Sequence, residues 1–171
     1  MPIKDERSLE QVYRSAVAGL YARLRSNYDY IYRKLGDQGL DMIAAMSREY
    51  GLSVAERAKK NLENNDLQSV SGYLVRIFET VNWDKRNLIQ IDTANEGRII
   101  IRVRECPLHF ENPALCRAHT TMERTVVEEL NPKLLYRIGK SIPAGDDFCE
   151  HIIELPAKPA RGRHTARATG R

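Results

Sequence analysis

The 171-residue chain is long enough for one domain with its own core, and 42% hydrophobic and 29% charged residues are typical of a globular protein. No apolar run approaches the ~18 residues of a membrane span, and the charged amino terminus lacks the apolar core of a signal peptide. We therefore expect a cytoplasmic protein without a membrane partner. The last fifteen residues hold five of the 27 basic residues and no acidic one, which leaves 22 basic against 23 acidic residues elsewhere. This balance does not favour a specific nucleic-acid partner.

Apolar spacing predicts a helical amino-terminal half. The first helix spans about 8–35, with Ser8 and Gln11 as a capping box and Gly36 at its end. Shorter helices follow at 40–50, ended by Gly51, at 53–64 and at 67–81. An aromatic stripe on the first helix favours core packing and leaves a dimer seam open, so a homo-oligomer through the amino-terminal helices remains a candidate assembly. Its members are Tyr13, Tyr21, Tyr28, Tyr30 and Tyr32.

The pattern then changes to short strands. A hairpin is predicted from 87–93 and 98–105, followed by one helix that begins at Asn112-Pro113 and ends near Leu130. Two further strands are expected at 134–141 and 147–155. The fold class is therefore α+β: a helical amino-terminal half, then a small antiparallel sheet with one helix packed across it. We predict a single domain over 1–156, helical over 8–81 and sheet-containing over 86–155, with 157–171 as a basic disordered tail.

All three cysteines lie in the second half, at Cys106, Cys116 and Cys149. Their spacing is not the close C-x2-C of a zinc ribbon or a thioredoxin motif, so spacing alone names no site. Cys116 falls in the first turn of the predicted helix, where the helix dipole lowers a thiol pKa and suits a nucleophile or a ligand thiolate. His119 and Glu123 follow on the same helix face. The alternative is a cysteine that only packs.

Two other positions complete the candidate site. Cys106 ends the second strand, and Arg102 and Arg104 share its parity, so either arginine is a candidate to bind a substrate carboxylate. The alternative for both is a solvated arginine. On the last strand, Cys149 and His151 are predicted to face the same side.

These residues carry a family resemblance. The sequence has ECP closing a strand, a second cysteine ten residues on, LNP closing the helix, and GDDFCEH after a turn. With these motifs the chain resembles the L-2-amino-thiazoline-4-carboxylic acid hydrolase family over roughly residues 41–155. It is more distantly similar to 4-vinyl reductase-type domains, which are small ligand-binding modules often with a cysteine-rich metal site.

The resemblance implies hydrolytic opening of a thiazoline ring by a metal-bound water or a cysteine thiolate. The implied catalytic residues are Cys106, Cys116, Cys149, Glu123 and His119. The implied substrate-binding residues are Arg102, Arg104 and His151. The alternative function is a noncatalytic, sensor-like module that binds a small molecule or a metal.

The same resemblance favours one metal site formed by Cys106, Cys116 and Cys149, with zinc as the expected divalent cofactor. The alternative is three separate buried cysteines. A small molecule is the partner expected under either function.

Overall fold

Three long helices precede a four-stranded sheet in the computed structural model, which describes residues 7–81 and 89–156. The predicted α+β class is confirmed. The predicted tail 157–171 and the first residues of the predicted hairpin lie outside the described residues. In chain order the elements are α1 (Leu9–Leu35), α2 (Asp37–Lys59), α3 (Leu67–Val81), β1 (Ile89–Asn95), β2 (Arg98–Val103), α4 (Pro113–His119), α5 (Thr121–Leu130), β3 (Leu135–Ile138), a 3-10 turn (Ile142–Ala144) and β4 (Cys149–Glu154).

Helix α1 begins and ends where the capping residues place its termini. The backbone N–H of Gln11 donates to the Ser8 hydroxyl at 3.2 Å, and the Ser8 N–H donates to the Gln11 side chain at 2.9 Å. These two bonds form the predicted capping box. At the other end Gly36 has φ of +56° and its N–H donates to the Tyr32 carbonyl at 2.8 Å. A residue with a side chain is strained at that φ, so the glycine allows the chain to turn there.

Helix α2 is one continuous helix, so the two shorter helices predicted at 40–50 and 53–64 are wrong. Gly51 lies inside α2 and does not end it. A Cβ atom at Gly51 would lie 2.8 Å from the Met122 carbonyl oxygen and 2.9 Å from the Thr125 Cβ. The glycine is thus explained by the close approach of α2 to α5, which local sequence does not reveal.

The predicted helix from Pro113 to Leu130 is two helices. Asn112 caps α4 as expected, because its side chain accepts from the Ala114 N–H at 2.8 Å. Thr120 interrupts the helix: its ψ is 0° and its hydroxyl donates to the Arg117 carbonyl at 3.2 Å. A threonine side chain that bonds to nearby backbone competes with helical hydrogen bonding in this way.

The sheet has the order β1-β2-β4-β3 with every pair antiparallel. Opposed residues share a face, so the register of β2 on β4 places Ile101 beside His151 and Val103 beside Cys149. Helices α3 and α5 pack on this face. The residues at the alternate positions, such as Arg102 and Glu150, lie on the other face of the sheet.

Two apolar clusters form the core. The larger cluster joins α2, α3 and α5 to the inner face of the sheet, and includes Leu74, Ile101, Val126 and Ile153. The smaller cluster joins α1, α2 and α4 to the segment 106–110; its buried members are Tyr28, Ile43, Leu108, Phe110, Leu115, Cys116 and Ala118. The candidate site lies where the two clusters meet.

Candidate functional site

A cavity of about 100 Å³ lies between the two clusters. A single water needs roughly 10–15 Å³ of such space, and an engineered, closed cavity of about 150 Å³ binds benzene. This cavity is smaller but not fully enclosed, so it has room for several waters, or for one small ring that extends toward its open side. Most of the wall is apolar. The lining residues are Tyr21, Ile77, Phe78, Val81, Val103, Glu105, Cys106, Pro107, Leu108, Phe110, Cys116, His119, Thr120, Met122, Glu123, Cys149 and His151.

The sheet contributes Cys149 and His151 from β4. They share the inner face, as their parity on a strand requires. The Tyr136 hydroxyl and His151 Nδ1 are 2.6 Å apart, and the Phe78 ring lies 4.5 Å from the His151 ring, centre to centre. Burial lowers the pKa of His151 to about 4, so the imidazole is neutral at neutral pH.

Helices α4 and α5 contribute Cys116, His119 and Glu123. The His119 ring is held by two aromatic neighbours, Tyr28 at 5.9 Å and Phe110 at 5.7 Å between ring centres. Burial lowers the pKa of His119 to about 4 and raises that of Glu123 to about 7. Neither His119 Nδ1 nor Glu123 Oε2 has a hydrogen-bond partner within residues 7–81 and 89–156.

The buried thiols are protonated, which contradicts the sequence expectation for Cys116. Burial raises its pKa to about 12, and the nearby Cys149 adds to the rise. The Cys116 N–H already donates to the Asn112 carbonyl at 3.2 Å, and α4 has only seven residues. Loss of hydration therefore outweighs the helix dipole. Burial raises the pKa of Cys149 as well, although the Ile142 N–H donates to its sulfur at 3.4 Å.

Cys106 lies in the segment after β2, because the strand ends at Val103 and not at Glu105. It is partly exposed, unlike the other two cysteines. The turn that follows is closed by the His109 N–H, which donates to the Cys106 carbonyl at 3.1 Å. Arg25 of α1 holds the same segment, with its guanidinium donating to the carbonyls of Leu108 and His109 at 3.3 and 3.4 Å.

The two candidate carboxylate-binding arginines are not at the cavity. Arg102 lies on the opposite face of the sheet, where its guanidinium is 3.0 Å from Glu150 and 3.3 Å from Asp92. Arg104 is exposed and does not line the cavity. The described part of the wall contains no lysine or arginine.

The predicted zinc site is wrong. Across the described ranges no group of three or more His, Cys, Asp or Glu side chains is arranged to hold a metal ion, and all three cysteines are free. The sulfur of Cys116 instead has the Ser141 hydroxyl as a neighbour at 4.0 Å.

Several residues of the site were missed by sequence reasoning. Tyr136 fixes His151, and Tyr28 and Phe110 enclose His119. Tyr28 and Phe110 are about half the chain apart in sequence and stack with ring centres 6.1 Å apart. The aromatic stripe of α1 was the one available signal for Tyr28, and it predicted packing and not a site.

Comparison with known proteins assigns no family. No protein-family model matches the chain, and no curated protein matches it. Among solved structures, an H-NOX protein from S. oneidensis in the Fe(II)NO ligation state is similar to 77% of this chain and 73% of its own length, with 19% identity and a TM-score of 0.48. Similarity at this level assigns neither a family nor a ligand. The resemblance to the thiazoline hydrolase family therefore stays a prediction.

Within the described residues, no helix has both the length and the apolar composition that crossing a membrane requires.

Proposed function

We propose that this protein is a noncatalytic, sensor-like module that binds a small uncharged molecule. The observation that carries this proposal is the mainly apolar cavity between the two clusters, with neutral histidines and protonated thiols in its wall. Concave, largely apolar sites with a few polar groups are the usual form of small-molecule sites. The cavity volume supports a ligand of about one ring.

The charges of the wall count against hydrolysis of a carboxylate substrate. Ring opening requires an activated nucleophile, a proton donor and a positive group for the carboxylate. Burial raises the pKa values of the Cys116 and Cys149 thiols, and Arg102 lies on the other face of the sheet. Glu123 supplies a proton donor, but the described wall supplies no cation.

Hydrolysis remains a second proposal because of one observation. The cavity brings together six of the eight residues that the family resemblance implicates, all except Arg102 and Arg104. The two proposals make opposite predictions for 2-amino-thiazoline-4-carboxylic acid, whose hydrolysis releases a thiol.

The first experiment is therefore turnover. We expect no release of thiol when a large excess of this acid is incubated with the protein. Release of thiol that is abolished in Cys116→Ser, with the variant still folded by circular dichroism, would overturn the binding proposal in favour of hydrolysis.

The second experiment is binding of ethylbenzene, a neutral ring of suitable size, followed by calorimetry and by the shift in melting temperature. We expect saturable binding at one site per chain. Ile77→Trp should abolish it by filling the cavity, while Ile100→Trp on the opposite face of the sheet should leave it unchanged. Binding that ignores the Ile77 change would place the ligand elsewhere.

A further inference from the structure

Two polar atoms in the cavity wall lack partners among the described residues: His119 Nδ1 and Glu123 Oε2. Glu123 is 5% exposed, so water outside the fold does not satisfy it. A buried polar atom without a hydrogen bond costs about 1–3 kcal/mol. Native proteins rarely carry this cost unless a water or a ligand supplies the missing bond.

The two atoms come from consecutive helices that both line the cavity. His119 is the last residue of α4 and Glu123 lies in the first turn of α5, four positions later. Both residues line the cavity, so one molecule in the cavity is able to reach both.

The hydrogen-bonding capacity of His119 and Glu123 determines which polar group of a ligand they can bind. A neutral imidazole has one donor and one acceptor, and a protonated carboxyl has one donor with acceptor capacity left over. Burial holds His119 neutral and favours the protonated form of Glu123. Neither group offers a positive charge, and an ionised Glu123 would repel an anion.

The apolar part of the wall determines the chemical character of the rest of the ligand. Ile77, Phe78, Val103 and Met122 surround the cavity with hydrocarbon and an aromatic ring. A second charged or strongly polar group on the ligand would lose its hydration there without a partner in return. The ligand is thus apolar apart from one polar end.

We propose that the molecule bound in this cavity is an uncharged, single-ring compound whose one polar group both donates and accepts a hydrogen bond, as a carboxamide does, and that this group lies between His119 and Glu123. The inference rests on the proposed function and adds the chemical class of the ligand.

The test compares three probes of similar size: benzamide, benzoate and ethylbenzene. Calorimetry at neutral pH should show benzamide binding at least about tenfold more tightly than ethylbenzene, the effect of one or two added hydrogen bonds. Benzoate should bind more weakly than benzamide, because the described wall offers an anion no cation.

Variants at the pair separate hydrogen bonding from a structural effect. Glu123→Gln keeps a donor and an acceptor, so the preference for benzamide over ethylbenzene should survive. Glu123→Leu and His119→Phe should each reduce that preference toward unity while ethylbenzene still binds. Glu129→Gln, on the exposed side of α5, is the matched control and should change neither affinity.

The outcomes show separately whether the ligand class is right and whether the proposed small-molecule site exists. Equal binding of benzamide and ethylbenzene, or tightest binding of benzoate, would overturn the ligand class and leave a small-molecule site in place. Failure of all three probes to bind at the cavity would overturn the proposed function itself.

Discussion

The three thiols around the cavity differ in burial, and this difference sets their reactivity. Cys116 and Cys149 are buried and burial raises both pKa values, whereas Cys106 is partly exposed in the segment after β2. The thiolate is the reactive form of cysteine, so the buried pair is expected to be inert.

We therefore expect one fast-reacting thiol when the native protein meets an aromatic disulfide reagent at neutral pH. Cys106→Ser should remove the fast phase, and Cys149→Ser should leave it unchanged. A saturating cavity ligand should slow the reaction, because Cys106 lines the cavity. Two or three fast thiols in the native state would contradict the burial described for Cys116 and Cys149.

Glu123 gives the protein a pH dependence of its own. Burial raises its pKa from 4.5 to about 7, so the folded state holds a proton that the unfolded state releases. The contribution of Glu123 to the free energy of unfolding is fully present below pH 4.5 and is lost as the pH rises through about 7. A difference of this size between the two pKa values corresponds to about 3 kcal/mol.

Glu123→Gln does not titrate at this position, so its free energy of unfolding should rise relative to the native chain by up to about 3 kcal/mol between pH 4.5 and pH 7. Urea unfolding at a series of pH values measures the difference. Glu129→Gln provides the comparison and should give a difference that does not vary with pH in the same way. A constant difference for Glu123→Gln would show that its folded and unfolded pKa values are alike.

At the scale of the elements, the packing of α2 on α5 depends on a missing side chain. Gly51→Ala would place a Cβ atom against a backbone carbonyl and a Cβ atom, neither of which moves cheaply. We expect it to lower the free energy of unfolding by about 1–3 kcal/mol, the usual cost of overpacking.

Gly72→Ala in α3 is the matched control, because a Cβ there meets nothing within 4 Å. Alanine in a helix is favoured over glycine by about 0.8–1.0 kcal/mol, so this variant should be more stable than the native chain. Chemical denaturation of both variants decides the matter. Equal effects of the two substitutions would mean that helix propensity, and not close packing, governs position 51.

Gly51 also shows which parts of the fold the sequence predicts. Ser8 and Asn112 act through hydrogen bonds to residues two or three positions away, so the starts of α1 and α4 follow from local sequence. The continuity of α2 depends on Met122 and Thr125, which are remote in sequence. A glycine is therefore ambiguous between a helix end and a packing contact until the partner helix is known.

The candidate site also has features that local sequence predicts and features that depend on tertiary packing. Strand parity correctly places Cys149 and His151 on one face. Parity fails for Cys106 because β2 ends at Val103, after which alternation no longer determines the direction of a side chain. The low charge of the site was not predictable, since it results from burial by α1, α3 and α5 and not from local sequence.

For the whole molecule, the two buried histidines predict sensitivity to acid. Burial lowers the pKa values of His119 and His151 to about 4 from 6.5. Their contribution to the free energy of unfolding is present above pH 6.5 and is lost as the pH falls toward 4, because the unfolded chain binds protons that the folded chain excludes. Glu123 acts in the opposite direction and partly offsets this slope above pH 4.5.

We expect the unfolding midpoint in urea to fall as the pH drops from 6.5 to 4, and His119→Gln and His151→Gln each to flatten the dependence. The full effect is about 3 kcal/mol for each histidine. His109→Gln, which changes an exposed residue, is the control. Unaltered slopes in both cavity variants would show that acid acts elsewhere.

The position of the cavity between two separate clusters has a consequence for how a guest molecule enters. The smaller cluster is held to the cavity rim by the segment 106–110, which Arg25 ties to α1 through two carbonyls. Separation of this segment from α1 breaks those two bonds and the stacking of Phe110 on Tyr28, and it leaves the pairing of β2 with β4 intact. Entry should therefore proceed by local opening, with backbone amides near Leu108 and His109 exchanging with deuterium faster than those of the central strands.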